Sequence, residues 1–194
     1  MKRGFGPLVG ILAISGLFII GIMLLTSGGG GGKTPKPAKN APKPLIDYAK
    51  TNATVSLTIK GAVNAREAHR EIRVTVGKNS RELEIIKGYQ NSVIKDKTYA
   101  NDQAAYTEFL HAINYANFTR ERGTDLKSEA GICPLGNRYV FALEQGDKEI
   151  TRLWTSTCSG IGRGTFDGET ALLLSLFEKQ IPDYDKLTQR VDLR

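Results

Sequence analysis

Residues 7–26 of this 194-residue chain, PLVGILAISGLFIIGIMLLT, form an uncharged apolar run. As an α-helix rising about 1.5 Å per residue, such a run spans about 30 Å, the thickness of a bilayer's hydrocarbon core. A helix satisfies its own backbone hydrogen bonds, so it can lie in lipid without partners. A cleavable secretory signal has a shorter apolar core, about 7–15 residues, and a small-residue exit. This run is longer and leaves through Leu24-Leu25-Thr26-Ser27-Gly28. A lipoprotein signal needs a Cys just after the run, and the first Cys here is Cys133. The segment therefore reads as an uncleaved signal anchor, with the lipid bilayer as the partner of residues 7–26.

Gly4-Phe5 ahead of the apolar run resembles the processing site of type IV pilins. That family carries Glu at the fifth position after the cut, where this chain has Val9. A pilin helix also continues well beyond the membrane, whereas Gly28 to Gly32 end this one. The resemblance is confined to the N-terminal segment and implies nothing about the rest of the chain.

Charge does not fix the orientation alone. Lys2 and Arg3 precede the run, and Lys33, Lys36, Lys39 and Lys43 follow it. Long following domains cross the membrane largely regardless of flanking charge, and a short basic leader, residues 1–6, resembles a signal n-region. The expected arrangement is a cell-membrane protein with one span, the N-terminus cytoplasmic and the C-terminal domain outside. Residues 27–46 read as a tether. The glycines give a flexible joint, the Lys-Pro repeats prefer an extended form, and too few apolar side chains are present to offset ordering entropy.

Residues 47–194 are enough for one domain with a real core. The net charge of +7 suggests nucleic acid until it is located. Of the 27 basic and 20 acidic residues, six basic and no acidic ones lie in 1–46, so 47–194 hold 21 against 20. The domain lacks the basic footprint that nucleic-acid binding needs, and no nucleic-acid partner is expected.

Within the domain, Val55, Leu57 and Ile59 alternate with polar residues, the mark of a half-buried strand. Ile72, Val74 and Val76 repeat the pattern, and Leu83 and Ile85 follow the turn residues Gly77 to Ser80. The period then lengthens. Tyr106, Phe109, Leu110 and Ile113 share one helical face behind a capping Asn101 or Asp102. Two strands, Arg138 to Glu144 and Lys148 to Cys158, turn at Gly146-Asp147. A second helix, capped by Asp167, buries Leu172, Leu173, Leu176, Phe177 and Ile181 and stops at Pro182. Residues 183–194 read as loosely ordered. This order predicts an α+β domain, β-β-β-α-β-β-α, with a five-stranded antiparallel sheet and both helices on one face.

Cys133 and Cys158 flank the second strand pair, whose hairpin brings such positions close. Outside the cytoplasm a disulfide is expected, worth about 3–4 kcal/mol for a loop of this length. His69 and His111 are the only histidines and form no metal motif, and no cofactor or catalytic constellation is expected. Both read as surface or packing residues.

The stretch Gly160, Ile161, Gly162, Arg163, Gly164, Thr165, Phe166 lies between a strand and a helix, where glycine loops can cradle phosphate. A dinucleotide site would need Gly where Thr165 stands, and the preceding strand belongs to a hairpin. The stretch reads instead as a connection or a recognition loop beside the disulfide, with Cys133-Pro134-Leu135-Gly136 as its neighbour. The function that follows is a non-catalytic module binding a protein or a cell-envelope polymer. The alternative is an envelope-acting hydrolase, for which Glu82 and Glu84 on one face of a strand are the nearest carboxylate pair.

Overall fold

The computed structural model describes residues 43–194. The expected anchor at 7–26, and the expected tether as far as residue 42, lie outside the described residues. Among the described residues no helix is long and apolar enough to cross a membrane.

The domain is α+β. Its chain runs through a 3-10 turn at Leu45–Tyr48, then β1 Ala53–Lys60, β2 Arg70–Gly77, β3 Ser80–Lys87 and β4 Ser92–Ala100. Helix α1, Gln103–Tyr115, follows, then β5 Arg138–Gln145 and β6 Lys148–Ser156. A 3-10 turn at Gly160–Arg163, helix α2 Thr170–Glu178 and a short α3 Tyr184–Thr188 complete it. One antiparallel sheet takes the order β4-β3-β2-β1-β5-β6.

The sheet thus has six strands, not the expected five. The extra one is β4, an edge strand of sequence SVIKDKTYA that is exposed along nearly all its length. With no buried face it carries no apolar alternation for a sequence to show. Its charges Lys95, Asp96 and Lys97 also suit an edge that must not recruit another strand. Pairing with β3 positions it, with a shift in register between Ile85 and Ile86.

Alternation sets the two faces of the sheet. Val55, Leu57 and Ile59 stand opposite Val76, Val74 and Ile72, and all six are buried on the face that the helices cover. Asp102 caps α1 by accepting from the Ala105 N–H at 2.8 Å. The stripe Tyr106, Phe109, Leu110 and Ile113 is buried as its spacing predicts. Tyr106 donates its hydroxyl to the Ala53 carbonyl at 2.9 Å, so the ring can be buried with its polar tip satisfied. Burial pushes that phenol's pKa up. The α2 stripe is narrower than expected. Leu173 and Phe177 are fully buried, while Leu172 faces outward. Phe177 meets Phe109 edge to face at 5.2 Å, which locks α2 to α1.

The C-terminal stretch is ordered rather than loose. Leu187, Val191 and Leu193 pack against the core, and the Ala62 N–H donates to the Leu193 carbonyl at 2.8 Å. Lys95 donates to the Leu187 carbonyl at 2.8 Å and so ties β4 to α3.

Candidate functional site

Cys133 and Cys158 are bonded, with their Cα atoms 5.8 Å apart. The bridge joins the long β-strand approach, residues 116–137, to the end of β6. Around it the chain is closely tied. The Gly136 N–H donates to the Cys133 carbonyl at 3.1 Å, closing a turn. The Val63 N–H donates to the Pro134 carbonyl at 2.7 Å, and the Thr157 N–H to the Asn137 carbonyl at 3.0 Å. Leu135 stands at the tip of this stapled turn, 89% exposed. A single exposed leucine is ordinary on a protein surface; this one is set apart by the rigid turn that holds it.

The stretch 160–166 divides in two. Gly164, Thr165 and Phe166 are packing residues. Thr165 accepts the Trp154 N–H through its hydroxyl at 3.0 Å, and the Phe166 N–H donates to the Trp154 carbonyl at 2.9 Å. Phe166 is buried against Phe141 at 4.5 Å between ring centroids. Gly164 has φ +60° and lies against Trp154, where a side chain would collide with both the carbonyl and the indole. These contacts cover the end of the β6 edge. Gly160 and Arg163 remain exposed, in a 3-10 turn whose backbone also includes Ile161 and Gly162.

Behind that turn lies a cleft of about 460 Å³, bordered by Arg122, Thr155, Thr157, Ser159, Arg163 and Thr170. Beside the cleft two guanidinium groups pair with one carboxylate. Asp167 accepts from Arg122 Nε at 3.2 Å and from Arg122 Nη2, and pairs with Arg120 Nε at 3.2 Å. The Arg122 hydrogen bond, then the charges of Arg122, Arg120 and Arg163, hold the Asp167 carboxyl below its usual range. Asp167 is therefore an arginine partner, not the expected cap of α2. The residue at the cap position is Glu169, whose side chain makes no cap hydrogen bond.

The opposite, helix-free face of the sheet carries a chain of ion pairs. Glu129 comes from the long approach to β5 and is buried over the sheet. It accepts from Arg152 Nη2 through both oxygens, at 2.7 and 2.8 Å, and pairs with Lys60 Nζ at 3.0 Å. Burial pushes its carboxyl up, but hydrogen bonds from Arg152, its own backbone and Lys60 outweigh this and hold it at about 2. Lys60 also approaches Glu71 at 4.0 Å, and Glu71 faces His69 Nε2 at 3.2 Å.

His69 is a packing residue, 1% exposed and stacked on Tyr89 at 4.2 Å, and it also joins this chain of ion pairs. Its Nδ1 lies 2.9 Å from the Ala62 carbonyl. Both ring nitrogens thus face oxygen atoms of the protein. Sequence reasoning missed this because the partners lie on a loop and two strands. The only local hint was Glu two positions beyond the His.

Beside the ion pairs is a cleft of about 400 Å³ floored by small side chains, Ser56, Thr58, Val140 and Ala142, between Arg73 and Arg152. Glu82 and Glu84 share this face on β3. Arg73 Nη1 bonds Glu84 at 3.2 Å. Burial first, then the charges of Glu84 and Asp96, push the Glu82 carboxyl up. Among the described residues no group of three or more His, Cys, Asp or Glu could hold a metal ion. No protein-family model matches this chain, and no curated protein matches it.

Proposed function

We propose that the chain is a single-pass membrane-anchored protein whose extracytoplasmic domain binds a cell-envelope polymer or a partner protein. The apolar run at 7–26 supports the anchor, and the Cys133–Cys158 bond supports an oxidising location. The observation that carries the binding reading is the disulfide-bearing end. It holds exposed Leu135 on a stapled turn and, across the same disulfide, exposed Arg163 at the rim of a polar cleft. A bound surface needs such rigidity, because ordering flexible loops on binding opposes affinity.

The test is co-sedimentation of the full chain with purified envelope polymer, comparing wild type with Leu135→Asp. An exposed turn residue tolerates the change without loss of fold, so retention should fall at unchanged stability. Equal retention of the two proteins would count against this surface.

The hydrolase reading draws on one observation, the raised carboxyl of Glu82 two residues from the Arg-paired Glu84. Two neighbouring acids in unlike surroundings are the arrangement that general acid–base work uses. Polymer cleavage that is lost in Glu82→Gln would favour it over binding alone.

A further inference from the structure

We propose that the cleft between the end of β6 and the start of α2 is a phosphate-binding site, the part of the binding surface that recognises a phosphate group on its ligand. This rests on the binding reading above and names the ligand chemistry. Four observations converge there. Arg120 and Arg122 pair with a single carboxylate, Asp167, beside the cleft, and Arg122 and Arg163 border the cleft itself.

The first turn of α2 opens on the cleft through Thr170, and no side chain caps it. Its leading N–H groups are therefore free to donate, and the helix dipole favours an anion there. Thr155 is 9% exposed, borders the cleft, and its hydroxyl makes no hydrogen bond with any described residue. A phosphate oxygen in the cleft would accept from this hydroxyl. Finally, Arg163 is exposed at the rim without a hydrogen-bond or ion-pair partner among the described residues. A guanidinium fork presents donors that fit phosphate oxygens.

The experiment is amide NMR of the full chain in phosphatidylcholine nanodiscs, titrated with inorganic phosphate and, at matched ionic strength, with acetate. Phosphate should give saturable shifts at Thr170, Ala171 and Arg163 and bind more tightly than acetate. Arg163→Gln should weaken binding about tenfold, the loss of one charge-assisted contact. Thr155→Val should weaken it too, while leaving the unliganded fold at least as stable, because the lost hydroxyl had no protein partner. Nanodiscs containing phosphatidic acid separate the sources. Shifts at these amides without added phosphate assign the group to a lipid headgroup, and shifts only on adding phosphate assign it to a soluble or polymer-borne ester. Absent or non-saturable shifts, or equal binding by wild type and Arg163→Gln, would overturn the site. Should phosphate fail to bind while wild type is still retained by envelope polymer and Leu135→Asp is not, this inference falls and the binding reading stands.

Discussion

Glu129 reaches across the helix-free face of the sheet and takes Arg152 with both carboxylate oxygens, at 2.7 and 2.8 Å. The bond ties the long approach to β5 onto the last strand of the sheet, and Lys60 on the central strand completes it. It is one of several attachments that hold this loop along its length. The same loop supplies the Leu126 carbonyl that accepts from Trp154 Nε1 at 3.1 Å. It carries Cys133, so the shape of the disulfide-bearing end depends on it.

Removing Glu129 should therefore loosen this end as well as the fold. Glu129→Ala leaves Arg152 and Lys60 without their shared counter-charge, and the cost should be about 3 kcal/mol. The sign with pH follows from the lowered carboxyl. Its pKa is about 2 in the fold against an ordinary 4.5. The stabilisation is fully present above the ordinary value and is lost as pH falls through the folded one. Urea unfolding of wild type should weaken between about pH 5 and pH 2 by about 3 kcal/mol. Glu129→Gln should lack that part of the slope.

The disulfide closes a loop with a sequence separation of 25. The Cys133→Ser, Cys158→Ser pair should lose about 3 kcal/mol, read as a lower urea midpoint. Wild type in reductant should match the double variant, and the double variant should not respond to reductant at all.

Gly164 lies in the left-handed region and against Trp154. Gly164→Ala adds backbone strain and a collision with a fully buried side chain, so it should destabilise by more than about 1 kcal/mol. Trp154 is the chain's single tryptophan, so its fluorescence should show the loosened packing directly. Gly123→Ala is the control, since nothing lies within 4 Å of the added carbon.

What was legible in the sequence was what burial writes into a local pattern. Val55, Leu57 and Ile59 alternate because one side of β1 is core. Tyr106, Phe109, Leu110 and Ile113 recur at helical spacing because one side of α1 is core. Strand β4 has no buried side and left no such mark. The C-terminal stretch was missed for a different reason. Its apolar contacts are few and widely spaced, at Leu187, Val191 and Leu193, and its hydrogen bonds there use backbone carbonyls, which every residue has. The disulfide could be inferred because its cysteines flank one hairpin. The arginine cluster could not, since Arg122 and Asp167 are 45 positions apart and meet only in the fold. Nor could sequence divide 160–166 into buried anchors and an exposed rim, because that division depends on where Trp154 sits.

The central claim is a disulfide-bonded domain held outside the membrane, and thiol labelling of intact cells tests it most directly. A membrane-impermeant maleimide is added with and without prior reduction by an impermeant phosphine. The account predicts that Cys133 and Cys158 label in intact cells only after reduction. Labelling that requires lysis but no reductant would place the domain inside with free thiols, and would contradict both the orientation and the bridge.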